Sequence, residues 1–513
     1  MGTTEDDPPH ALAPGRIGAA FVAIFGLAAA VPVVTLVTLV PSAFAAAAGP
    51  LVPLTFVAVA LVLLLFWGGY AAMARRAPSA GAAYPVIARG LGRPAGLIAA
   101  WLAIAGYQAI QFGLYVLAGA AAAPLLRTWF GVDAPWWAVA AACWALVATV
   151  GTVRVEVAAG VVALFAVAEA AVLVGVAAAN VVDPDAGRVT PASIVPDPAT
   201  VDRPVLGLLL AAGVLAFAGF ETTANYAEET TRPGRGGYGA VVMVALLLGG
   251  VSWSMIVAAG PSLITGTAGS HGGGLLVELA AERVAPWAVT LARATLLVGL
   301  LAGLLALHHA IARYLYAMGR ERVLPGVLGH TGRRTSAPRA ASLTQSLIAG
   351  AALAGAYAAG ASPGPADARW LLAGGTLSIL VLVTGMSLAA LLHLNRKPAG
   401  EGAWTRFFAP LLSTVALASL GYLAFRDLPA LLALPAGSAR VWVVPGALGG
   451  CLVFGLAHAL LLRLLRPVIY AGIGLAGAAV VITPGPPFIP QQRTPGAHRP
   501  ERIEVSQKSP EPE

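Results

Sequence analysis

The stretch GVLAFAGFETTANYAEETTRPGR, residues 213 to 235, begins as apolar sequence and ends as a charged, proline-broken loop. One carboxylate, Glu221, stands in its apolar half, with only Phe220 separating it from Gly219. An acid in such surroundings needs a reason, because apolar sequence tolerates a carboxyl group only where it is paired, capping or working. The signatures of catalysis do not accompany it. The chain has no HExxH, GxSxG, Walker loop or CxxC, and no carboxylate pair at helical spacing inside an apolar run. The neighbouring His308 and His309 come nearest to a metal site. Side by side on a helix they diverge by about 100°, and no third ligand type lies close in sequence, so they read as packing or hydrogen-bonding residues. No enzyme activity, metal or cofactor is expected. A second polar group, Tyr107, Gln108, Gln111 and Tyr115 in GYQAIQFGLY, falls within an arc of roughly 100° at helical spacing and should face away from lipid.

The elements that must position these residues follow from composition. Of 513 residues, 58% are hydrophobic and 11% charged, against about 25% charged in a soluble domain. Runs such as PLTFVAVALVLLLFWGGYAAMA and VVALFAVAEAAVLVGVAAANVV have about the 20 residues that a helix needs to cross hydrocarbon. None alternates as a barrel strand would. About twelve such spans are expected, centred near residues 31, 62, 110, 143, 168, 216, 250, 302, 352, 381, 418 and 453.

With a cytoplasmic N-terminus, 22 of the 31 Lys and Arg fall in inward segments and 8 in outward ones, leaving Arg313 late in span eight. Both termini are therefore expected in the cytoplasm, with the chain a multi-pass protein of the plasma membrane. The net charge of +8 then reports topology in a lipid bilayer and not a nucleic-acid partner. The opening MGTTEDDPPH is too acidic and polar for a cleavable signal. Cys143 and Cys451 lie in apolar runs and read as packing residues. Residues 1–15 are expected to be a tail and 16–466 the transmembrane domain. Residues 467–513 should form a short interfacial patch, VIYAGIGLAGAAVVI, and a disordered proline-rich tail.

Interruption is the sequence's main functional signal. A membrane helix can break only where its freed backbone groups face a cavity or protein, and transporters hold substrate with such groups. The first span carries Pro32 and Pro41, and the sixth carries the Gly219 step. Breaks five spans apart fit an all-α fold of two five-helix inverted repeats, each opening with a broken helix, plus two further helices.

The stretch FAGFETTANYAEETTRPGR resembles the sixth-helix signature of amino acid permeases of the amino acid-polyamine-organocation superfamily. APSAGAAYPVIARGLGRPAG (77–96) is similar to that family's segment between helices two and three. AIARYLYAMGRERVLPGVLG (310–329) resembles the end of its helix eight, and RPVIYAGIG (466–474) its closing segment. The resemblance implies that an unwound part of helix one offers N–H groups to a substrate carboxylate, at Pro32, Val33, Val34, Thr35 and Leu36. It likewise implies that helix six offers carbonyls to the amino group, at Leu215 to Phe220 (Leu215, Phe217, Ala218, Gly219 and Phe220), followed by Glu221, which caps the restart or carries the coupling proton. Tyr107, Gln108 and Gln111 would line the same pocket, and Arg313 would snorkel or pair at a gate.

Two departures from the family pattern stand out. Its G-[ST]-G reads Val34, Thr35, Leu36 here, and Gly160 occupies the position of a helix-five lysine, nine residues before Glu169. The implied function is a secondary transporter moving amino acids or related amines by alternating access, coupled to protons or working by exchange. A non-transporting scaffold or sensor is the alternative.

Overall fold

The computed structural model describes residues 12–46, 48–184, 189–196, 203–332, 335–435 and 437–475. Among them the regular structure is helical apart from one isolated bridge between Ile17 and Thr230. The first half comprises α1 (Ala19–Ala30), α2 (Pro32–Ala45), α3 (Leu51–Arg76), α4 (Ala83–Leu91), α5 (Arg93–Phe130), α6 (Trp136–Val150) and α7 (Val155–Val182). The second comprises α8 (Arg203–Leu215), α9 (Gly236–Ala259), α10 (Ile264–His271), α11 (Leu275–Ala281), α12 (Pro286–Arg320), α13 (Arg339–Ala358) and α14 (Pro365–Arg396). It closes with α15 (Ala409–Arg426), α16 (Leu428–Leu431), α17 (Val443–Leu465) and α18 (Pro467–Gly472). The long α5 packs along α12, α14 and α17.

Each expected span centre has a helical counterpart, but not all the counterparts have spanning character. Among the described residues nine helices are long and apolar enough to cross a membrane, and the α1–α2 pair, bent by 41°, makes ten if it is one span. The two centres left over fall in α6, with 15 residues, and α13, with 20. The first is shorter than hydrocarbon requires, and the second carries Arg339, Ser342, Thr344, Gln345 and Ser346 in its opening turns. Only the start of the expected interfacial patch is described: α18 and then Ile473, which is buried, while residues 476–513 lie outside the described residues.

Helix one does break, but at a single residue. Val31 adopts φ 44° and ψ 64°, and α2 restarts at once with Pro32. The cause is local. A residue before proline is pushed out of the right-handed helical region, while proline itself, with φ fixed and no N–H to lose, suits the first position of a helix. The expectation of an unwound segment at Pro32, Val33, Val34, Thr35 and Leu36 is therefore corrected, because all five are helical.

Helix six opens over more residues. After α8 ends at Leu215, residues 216–219 form a turn and Phe220–Tyr226 form a 3-10 helix. Thr222 and Thr223 donate hydroxyls to the carbonyls of Gly219 and Phe220 at 2.7 and 2.9 Å, so this backbone finds local partners.

The two breaks touch. Gly219 has φ 118°, and a Cβ built there would lie 2.3 Å from the carbonyl carbon of Ala29. Gly26 repeats the closeness one turn earlier, where a Cβ would lie 2.6 Å from Thr223 Cγ2. Only glycine lets the last turn of α1 lie against the opened part of helix six.

Gly219→Ala is therefore expected to destabilise the protein by roughly 2–4 kcal/mol, from a forbidden φ plus a backbone clash. Gly160→Ala, on an exposed position of α7 where a Cβ meets nothing within 4 Å, should be neutral or stabilising by up to about 1 kcal/mol. Thermal unfolding of both variants in the same detergent measures the contrast.

Candidate functional site

The meeting point of the breaks forms the base of a cavity of about 530 Å³. Ala29, Ala30 and Val31 from the end of α1, and Leu215, Ala216 and Ala218 from the helix-six turn, line one side. Leu114 of α5 and Leu372 of α14 close the other side, and Pro365 and Arg369 stand where α14 begins. The surface is mostly apolar, with hydroxyls from Thr35, Thr38, Ser42 and Thr376 and one charged residue, the exposed Arg369.

The opposite end of the bundle is closed by charge pairs. Arg313 Nε donates to Glu229 Oε2 at 2.8 Å and its Nη2 lies 2.7 Å from the same oxygen, with both side chains 2% exposed. Its guanidinium also sits 4.1 Å from the centre of the Tyr226 ring, which stacks on Phe25 of α1. Next to it, Arg320 grips Glu228 with two bonds of 2.9 and 2.6 Å, and Glu228 also accepts the Ala80 N–H at 2.9 Å. Glu321 accepts the Tyr84 hydroxyl and the Gly474 N–H. These links tie α12 to the segment after helix six, the stretch before α4 and the chain beyond α18. Of the two roles open to Arg313, pairing is the one it has. A guanidinium–carboxylate fork removed from water holds only while both partners are present.

Each break carries its own carboxylate. Glu221 Oε2 accepts the N–H of Gly219 at 2.8 Å, and its Oε1 accepts the hydroxyl of Tyr107 at 2.8 Å. It therefore binds a backbone group released by the turn and fastens it to α5. At helix one the acid comes from α7: Glu169, 2% exposed, accepts the Val33 N–H at 3.0 Å. Val33 is the second residue of α2, so Glu169 caps that half-helix from across the bundle. A Cβ on Gly299 of α12 would lie 2.6 Å from Glu169 Cδ, so this glycine leaves the carboxylate its place.

The expected site residues divide by location. Val34, Thr35, Leu215 and Ala218 line the cavity. Pro32, Val33 and Leu36 lie in α2, facing away from it into the buried core. Phe217, Gly219 and Phe220 are packed within the helix-six turn, Phe220 edge-on to Phe66 and Trp67. Tyr107 meets Glu221, whereas Gln108 and Gln111 meet Gln345 of α13. Gln345 exchanges amide bonds of 2.9 Å with Gln108 and donates to Gln111 Oε1 at 2.7 Å, while Gln111 donates to the Leu304 carbonyl at 3.1 Å.

Two participants escaped the sequence reading. Glu169 stands alone in an apolar stretch, the same signal that drew attention to Glu221, whereas Gln345 sits among the polar residues that open α13. The histidines do not share a site: His308 Nε2 lies 2.8 Å from Ser342 Oγ, and the His309 ring packs edge-on to Phe25. Among the described residues no three His, Cys, Asp or Glu side chains form a metal-binding group.

Arg313→Met should cost about 3–5 kcal/mol by leaving Glu229 buried and unpaired. The double change Arg313→Met/Glu229→Leu should recover much of that loss. A double-mutant cycle by thermal unfolding separates the pair from its surroundings.

No curated protein matches the chain. The family described as amino acid permease matches residues 19–456, from the first residue of α1 almost to the end of α17. That span contains both helix breaks, both carboxylates that serve them and the charge pairs beneath the cavity, and the chain belongs to the amino acid permease family.

Proposed function

We propose that the protein is a secondary transporter that carries an amino acid or a related amine across the plasma membrane by alternating access, driven by protons or by exchange. In this reading the chain makes twelve passes, the first five (α1 to α7) and the next five (α8 to α14) form inverted repeats, and both ends of the chain are cytoplasmic. The observation that supports it most is the contact of two interrupted helices at Gly219 and Ala29, at the base of a cavity, with the opposite end of the bundle pinned by Arg313–Glu229 and Arg320–Glu228. One end open and the other pinned is one half of an alternating cycle, and separable ion pairs are a suitable latch. The substrate site would be the cavity walls at Val34, Thr35, Leu215 and Ala218, with Glu221 and Tyr107 behind them.

Glu221 has two roles in such a cycle. As a clasp it holds the Gly219 N–H, and as a proton carrier it would release that N–H and Tyr107 when protonated and so loosen the break. A scaffold or sensor that retains the permease fold is the competing reading, and transport assays divide the two.

Topology is tested by single-cysteine labelling in a background lacking Cys143 and Cys451. Ser336→Cys should react only from the cytoplasmic side and Asp133→Cys only from outside. The reverse pattern would overturn the proposed orientation.

Purified protein in proteoliposomes should accumulate one member of a panel of labelled amino acids and amines. Glu221→Gln keeps an acceptor for Gly219 but cannot titrate. If Glu221 carries the proton, the variant should bind and exchange substrate yet lose pH-driven accumulation by tenfold or more, whereas a pure clasp would leave accumulation near wild type. No uptake and no ligand-dependent thermal shift across the panel would favour the scaffold.

A further inference from the structure

We infer that the cavity selects an amine lacking an α-carboxylate, because the seat where a substrate carboxylate would meet the helix-one break is already filled by Glu169. This rests on the transport-site reading above and narrows its substrate class.

The donors at the start of α2 are all accounted for. Pro32 has no N–H, the Val33 N–H is given to Glu169 at 3.0 Å, and the Val34 N–H is given to the Val31 carbonyl at 3.0 Å. From Thr35 onward the N–H groups belong to the helical ladder. An incoming carboxylate at this half-helix thus finds no backbone N–H free, and it meets a second carboxylate one residue behind the cavity wall. Like charges in a region shielded from water repel strongly, so the barrier is electrostatic as well as steric. Val34 adds to it by placing its side chain on the cavity wall beside Thr35.

The acceptors show the opposite balance. Among the described residues no N–H reaches the carbonyls of Ala30, at the end of α1, or Ala216, in the helix-six turn, and both residues line the cavity. Both lie at helix C-termini, where the partial charge is negative. Glu221 sits behind Ala218 as Glu169 sits behind Val34. A primary ammonium group supplies three donors to such a setting and carries the complementary charge. The rest of the wall, including Val31, Leu114, Leu215 and Leu372, is apolar and suits an aliphatic or aryl body. The one cation on the lining, Arg369, is exposed at the rim, where solvent and salt screen it.

The test compares pairs that differ only by the carboxylate: isoamylamine with L-leucine, and 2-phenylethylamine with L-phenylalanine. Binding to the intact wild-type protein in detergent, by calorimetry and thermal shift, is expected to favour the amine by tenfold or more in every pair that binds. An amino acid that binds as tightly as its amine, or tighter, overturns the inference while leaving the transport reading in place. Failure of every amine and amino acid to bind or be taken up overturns the transport reading and this inference with it.

Two variants locate the cause. Glu169→Ala frees the Val33 N–H and should bring the amine-to-amino-acid ratio down to within about threefold of unity, and a ratio that stays at the wild-type value refutes Glu169 as the occupant. Glu169→Gln keeps an acceptor for Val33 and should retain a preference intermediate between the two. The wild-type comparison stands by itself if Glu169→Ala fails to fold.

Discussion

Hydrocarbon offers no partner to a backbone N–H or C=O, and the interior of this protein is arranged around the two places where its helices stop supplying their own. At Val31 and at residues 216–219 the helical ladder is interrupted deep in the bundle. Every group released there needs a partner from somewhere else. Threonine hydroxyls and short-range turns serve the helix-six side, and two carboxylates, one local and one from α7, take the remaining N–H groups at Gly219 and Val33. Much of the neighbouring sequence follows from this need. Gly299 makes room for Glu169, Tyr107 holds Glu221, and Gly219 and Gly26 let the two interrupted segments lie in contact.

Charge is distributed with the same economy. The buried acids at the breaks bind backbone and a tyrosine, so they are held by hydrogen bonds. The acids after helix six are held by arginines: Glu229 by Arg313 and Glu228 by Arg320. These pairs lie at the end of the bundle away from the cavity. They join segments that are far apart in sequence, α12 and the segment after the helix-six turn. Such pairs contribute modest net stability but strong mutual dependence, since either partner alone is an uncompensated charge. In the proposed cycle that dependence is useful, because a closed end of this kind opens only when both arginines leave their partners together.

Much of the fold was legible in the sequence because the membrane simplifies it. Apolar runs of about 20 residues can only be helices there, and their order gave the element list with few errors. Where the reading falls short, the causes are physical. Periodicity and composition mark a helix but do not measure how much of it faces lipid, so passes at α6, which is short, and α13, which is polar at its start, belong to the proposed topology and not to the span count. Pro32 signalled a break in the right place, yet a proline at the first helical position begins a helix, so the unwinding expected at Pro32–Leu36 collapsed to the single residue Val31.

The site divides in the same way. The sequence by itself determined the solvent, the helical class, the two points of interruption and the presence of lone polar residues, because each of these is a property of a residue and its near neighbours along the chain. Only the tertiary structure decided which of those polar residues act together. Glu169 lies 136 residues from Val33, and Gln345 lies 237 from Gln108. Their pairing depends on how helices rotate and approach, which is set by packing over the whole bundle and by glycines such as Gly219 and Gly299 that allow close contact. A carboxylate in an apolar run announces that it needs a partner, but the partner's identity belongs to the fold.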